Sequence, residues 1–209
     1  MALMNIISFL QEIVQKKLTL NPPGIFSICT SNPYVLKSCF QLAKIHSIPY
    51  LIETTCNQVN QYGGYTKLTP ERFAQYIHGL AFEYGLSQDQ ILLGGDHLGP
   101  FAWKNEPADH AMQKSIELVT QYIRAGYRKI HLDASISCLD DPIILPKETI
   151  TKREVVLCKA AVKEIVALGK DLSEFVFVVG TEVPTAGGAP QEQMSTTISS
   201  VEDTEENIN

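Results

Sequence analysis

Asp96 and His97 place a carboxylate and an imidazole side by side within residues 92–100, LLGGDHLGP. Both groups transfer protons or bind metal ions near neutral pH. The apolar run Ile91-Leu92-Leu93 before them predicts a buried strand over 91–95. Gly94 and Gly95 then let another group come close to the backbone. An acid and a base at the C-terminal tip of a strand match the place where barrel enzymes carry their chemistry. The plain alternative is a turn-capping Asp96 and a hydrogen-bonded, half-buried His97.

The pattern recurs along the chain. The predicted strands end in Cys29 and Ser31, in Glu53, in Asp133 and Ser135, and in Glu182. Buried carboxylates are costly unless paired, protonated or bound to a cation. Their recurrence predicts a shared polar pocket. Two chemistries fit it. One is a divalent ion such as Zn2+ or Mn2+, with His97 as ligand. The other is proton transfer by Asp96, Glu182 or Asp133 at a substrate carbonyl or hydroxyl. His131, two residues before Asp133, faces the same pocket or is a satisfied core histidine, and the core role is the preferred reading. Substrate-binding candidates are Ser31, Glu53, Asn57, Gln58, Gln61, Ser135 and the glycine pairs Gly63-Gly64 and Gly187-Gly188. Those pairs would offer backbone N–H groups to a phosphate. No Walker P-loop and no GxGxxG fingerprint is present.

The elements that must position these residues follow from periodicity. Leu3, Ile6, Ile7, Leu10, Ile13 and Val14 predict an opening helix. Strands are predicted over 25–30, 50–54, 91–95, 129–133 and 174–180. Helices are predicted over 35–45, from Thr69-Pro70-Glu71, over 108–125 with Gly126 as its cap, and over 149–168. Strands alternating with helices predict right-handed βαβ units and a parallel sheet. Residues 1–189 form the α/β unit in this reading. Residues 190–209, rich in Ser, Thr, Glu and Gln, form a polar tail, disordered or a frayed helix.

The 209 residues suffice for one core, and 44% apolar with 19% charged residues is an ordinary globular composition. A net charge of −6 with no basic stripe argues against nucleic acid. No apolar run approaches the roughly 20 residues that cross a bilayer. The five cysteines form no CxxC pair, and the start lacks a basic leader. A cytoplasmic protein with free thiols is therefore expected.

Residues 55–66, 94–100, 129–135 and 178–184 (TCNQVNQYGGYT, GGDHLGP, KIHLDAS and VVGTEVP) are similar to the family of the Z subunit of D-tagatose-1,6-bisphosphate aldolase. The resemblance runs from about Gly24 to Gly188. It implies a TIM-barrel (β/α)8 fold of the class II aldolase superfamily. It also implies a non-catalytic subunit that supports the catalytic Y subunit in galactitol or N-acetylgalactosamine catabolism. Some relatives are metal-dependent ketose 4-epimerases. In catalytic class II aldolases an Asp-His pair after the third strand supplies the proton-transfer group and a zinc ligand, at positions matching Asp96 and His97. Their further zinc histidines come from later strands. A closed barrel needs about 250 residues, so this chain reads as the first five βα units of a longer one. Two other readings remain: a metal-dependent ketose-phosphate aldolase or epimerase, and an inactive truncated remnant.

Overall fold

A computed structural model describes residues 6–16, 21, 24–46 and 49–180. Glu182, Gly187, Gly188 and the polar tail lie outside the described residues. The elements are α1 (Ile6–Lys16), β1 (Ser27–Cys29), α2 (Pro33–His46), β2 (Tyr50–Thr55), α3 (Pro70–Glu83), β3 (Ile91–Leu98), α4 (Ala108–Arg124), β4 (Lys129–Leu132), α5 (Lys147–Ala167) and β5 (Val176–Val179). The five strands are parallel, in the order β1-β2-β3-β4-β5. Each strand therefore pairs with its neighbour in sequence, as in the successive staves of a (β/α) barrel.

Alternation along the strands divides the residues between two faces. Tyr50, Ile52, Ile91, Leu93, Ile130 and Leu132 pack outward against the helices. There Leu36 and Phe40 of α2, Phe73 and Ile77 of α3, Leu118 and Tyr122 of α4, and Leu157 and Ile165 of α5 complete one core. On the opposite face, Leu51 and Leu92 pack against Ile7 and Leu10 of α1. Gln11 secures that helix through a 2.9 Å bond to the Ser173 carbonyl. So α1 covers the apolar, N-terminal end of the inner face. Two residues past Leu51 the same face turns polar at Glu53, and Lys129, in register with Gly94, continues that row on β4.

Helix starts and stops follow local chemistry. Thr69 caps α3 by accepting the Arg72 N–H, with Pro70 preset in the first turn. Gly126 adopts φ +95° just after α4, the left-handed turn that ends a helix.

The first strand, expected over 25–30, shortens to Ser27–Cys29, and two further boundaries depart from expectation. The fifth strand shortens to Val176–Val179, because residues 172–174 form a 3-10 turn capped by Asp171. The third strand does not stop before Asp96: it runs on to Leu98, with a register shift against β4 between Gly95 and Leu98. Asp96 and His97 lie in that irregularity rather than beyond the strand, and His97 takes φ +48°. Histidine is among the few residues that enter this region without great strain. The bulge matters because neighbours in a regular strand face opposite sides. Here the kink brings the His97 ring beside the side chains of its neighbours on the inner face.

Candidate functional site

The inner face carries two successive rows of polar residues. In the lower row, Cys29 pairs in register with Glu53, Glu53 with Gly94, and Gly94 with Lys129. Gly94 has no side chain, and a Cβ there would lie 2.8 Å from Glu53 Oε1. Through that gap Lys129 of β4 reaches across β3 to form an ion pair with Glu53 of β2. The Ser27 hydroxyl of β1 donates to the other Glu53 oxygen. In the upper row Asp96 is bound on three sides. Lys129 Nζ lies 3.4 Å from its Oδ1, His131 Nδ1 lies 2.9 Å from the same oxygen, and His97 Nδ1 lies 3.1 Å from Oδ2. The His97 and His131 rings stand 4.2 Å apart between centroids.

Burial and charge tune these groups. Glu53 is 4% exposed; burial pushes its carboxyl up, against the pull of Lys129. Burial would also push Asp96 up, but the hydrogen bonds from His131 and His97 and the Lys129 charge outweigh it. They hold Asp96 well below the usual carboxylate range, so it stays an anion and an acceptor. Desolvation, then the charges of Asp96 and Glu53, push the Cys29 thiol up to about 12. It is therefore a neutral donor, bonded at 3.5 Å to Gln58 Oε1, and not a thiolate nucleophile.

An Asp96 anion that accepts from His131 Nδ1 at 2.9 Å favours the tautomer with the Nε2 lone pair available on that ring. Histidines that bind metals are commonly oriented in this way by a carboxylate. Ligand atoms of Asp96, His97 and His131 all lie within 4.8 Å of one another. With Asp96 turned to both Nδ1 atoms as the orienting carboxylate, the two imidazoles are the groups that suit a divalent ion of the Zn2+ or Mn2+ type.

The other candidates fall elsewhere. Asp133 is buried but turned into its own loop, where its Oδ1 accepts from the Ser135 N–H at 2.8 Å and the Ser135 hydroxyl at 2.6 Å. Its charge instead acts on Glu154 of α5. The single pocket expected for all the strand-end carboxylates thus gathers Glu53 and Asp96 and leaves Asp133 and Ser135 aside. Ser31 lies half-buried between β1 and α2.

In the loop after β2, Gln58 lines the site next to Cys29, and its Oε1 also accepts the Thr55 N–H at 2.8 Å. Gln61 turns away and donates to the Lys114 carbonyl of α4 at 3.0 Å. Asn57 contributes its carbonyl to Tyr65 N at 2.9 Å. The N–H groups of Gly63 and Gly64 are both spent on Asn60, on its carbonyl at 2.8 Å and its side-chain oxygen at 3.1 Å. They shape a tight turn and are not turned out to a phosphate, which corrects that expectation. Two site residues escaped the sequence reading, Lys129 and Ser27; His131, weighed there with the core role preferred, takes the other alternative and faces the site. The signal was present, since the alternation in KIHL puts Lys129 and His131 on one face.

The family profile described as D-tagatose-1,6-bisphosphate aldolase subunit GatZ/KbaZ-like matches residues 10–209. The chain is 48% identical over 181 residues to the D-tagatose-1,6-bisphosphate aldolase subunit GatZ of Escherichia coli strain SE11, covering 87% of this chain and 43% of that protein. Against the GatZ subunit of strain SMS-3-5 the identity is 47% over 180 residues, covering 86% and 42%. The fold is similar to the crystal structure of a probable tagatose 6 phosphate kinase from Sinorhizobium meliloti 1021. The TM-score is 0.70 with 42% identity, over 77% of this chain and 39% of that one. The chain thus spans about two-fifths of the length of the relatives it matches.

Proposed function

Because the chain belongs to the D-tagatose-1,6-bisphosphate aldolase subunit GatZ/KbaZ-like family, we propose that it serves as the accessory Z-type subunit of a class II aldolase. In this role it supports a catalytic Y subunit that acts on tagatose 1,6-bisphosphate in galactitol or N-acetylgalactosamine breakdown, in the cytoplasm. The observation that carries the reading is the match of residues 10–209 to the GatZ/KbaZ-like subunit family, with 47–48% identity to GatZ subunits. No helix among the described residues is long and apolar enough to cross a membrane, in keeping with a partner in solution.

A second reading is favoured by the cluster of Asp96, His97 and His131: a metal-dependent ketose-phosphate aldolase or 4-epimerase. A bound divalent ion would supply Lewis-acid polarisation of a substrate carbonyl. His97 and His131 would hold it, Asp96 would orient both rings, and the Glu53–Lys129 pair would balance charge beneath them.

Co-expression with a catalytic Y subunit separates the two. The accessory reading expects higher soluble yield and aldolase activity of the partner, and no turnover by this chain alone. An unchanged partner refutes it, and metal-dependent turnover by the chain alone establishes the second reading.

A further inference from the structure

Lys129 is absorbed by neither the accessory role nor the metal-ligand set, yet it is 12% exposed and sits between two carboxylates. Burying an ammonium group is unfavourable unless its charge is answered. Here the answer comes from a neighbouring strand and from the strand beyond it, because Gly94 leaves the gap between them. We propose that Lys129 is a positioning residue: it locks the Asp96 carboxylate so that one oxygen faces His131 and the other His97, and thereby sets the ring nitrogen that His131 presents to a ligand.

The geometry supports this in three ways. Lys129 and His131 meet the same Asp96 oxygen, Oδ1, at 3.4 and 2.9 Å. A carboxylate held there cannot rotate to give that oxygen to another donor. Glu53 in turn anchors the ammonium from β2, and the Ser27 hydroxyl anchors Glu53 from β1. A continuous polar line therefore crosses four strands and ends at the two imidazoles. Finally, Gly94 lies at the crossing point, where a side chain would collide with Glu53 and with Leu51 Cδ1 at 2.9 Å. The inference rests on this geometry alone and holds for an accessory subunit or an enzyme.

The test is imidazole nitrogen NMR on the full chain at mildly alkaline pH, with the signals assigned by single His→Gln variants. The wild type is expected to show His131 protonated at Nδ1 and bare at Nε2. Lys129→Met combined with Glu53→Gln removes both charges of the bridge, so that the buried Glu53 site keeps no unpaired ion, and leaves the part-exposed Asp96 held by the two imidazoles alone. It is expected to melt cooperatively, with His131 now a mixture of tautomers. Gly94→Ala disturbs the same bridge without removing either charge and is expected to give the same mixture, which covers the case in which the double variant does not fold. An unchanged His131 tautomer in a folded variant overturns the proposal, as does a wild type whose His131 carries its proton on Nε2. Neither result depends on the aldolase partner, so failure of the functional reading is told apart.

Discussion

Replacing Glu154 with Gln should flatten the pH dependence of stability above neutrality. Glu154 lies on α5, half-buried, and its Oε1 is buried without a hydrogen-bond partner. Burial, and then the negative charge of Asp133, push its carboxyl up to about 7 from an ordinary 4.5, although the Ala134 N–H opposes the rise. The folded state therefore binds this proton more tightly than the unfolded chain does. The stability it contributes is complete below about 4.5 and is lost as pH rises through about 7. At about 1.4 kcal/mol per pH unit, the ceiling on that loss is about 3 kcal/mol. Solvent screening of a partly exposed group brings the expected value to about 1–2 kcal/mol. Urea unfolding at pH 5 and pH 8.5 measures it as a difference between wild type and Glu154→Gln, so that other titrating groups cancel. The variant should match the wild type within about 0.5 kcal/mol at the lower pH and exceed it by about 1–2 kcal/mol at the higher. Equal differences at both pH values would refute the raised carboxyl of Glu154.

Three further outcomes are expected. Tyr122→Phe should destabilise the chain by about 1–3 kcal/mol in urea unfolding, because the buried hydroxyl meets Thr54 Oγ1 and the Val59 carbonyl, each at 2.9 Å. Gly64→Ala should lose about 2 kcal/mol or more and speed proteolysis of the loop after β2; φ is +53° there, and a Cβ would meet the Gln58 carbonyl oxygen at 2.5 Å. Asp96→Asn should weaken Zn2+ binding by roughly tenfold in calorimetric titration, since it removes the acceptor shared by His97 and His131. If wild type and variant bind equally, Asp96 does not orient the histidines.

Residue order alone determined much of the protein. The alternation of strands and helices specified a parallel sheet with neighbours in sequence order, because short right-handed crossovers leave few other arrangements. The motifs around Asp96-His97 and residues 55–66 carried the family. What the sequence left open was which polar residues meet. A period of two tells that Lys129 and His131 share a face, but not that Gly94 opens a path to Glu53. The pairing Glu53–Gly94–Lys129 depends on register across three strands. Nor does the order of residues reveal a bulge at His97, which turns two adjacent side chains toward one site, or the Ser135 contacts that take Asp133 out of it. Register, bulges and competing local hydrogen bonds arise from packing between distant segments. They were settled only when the strands came together.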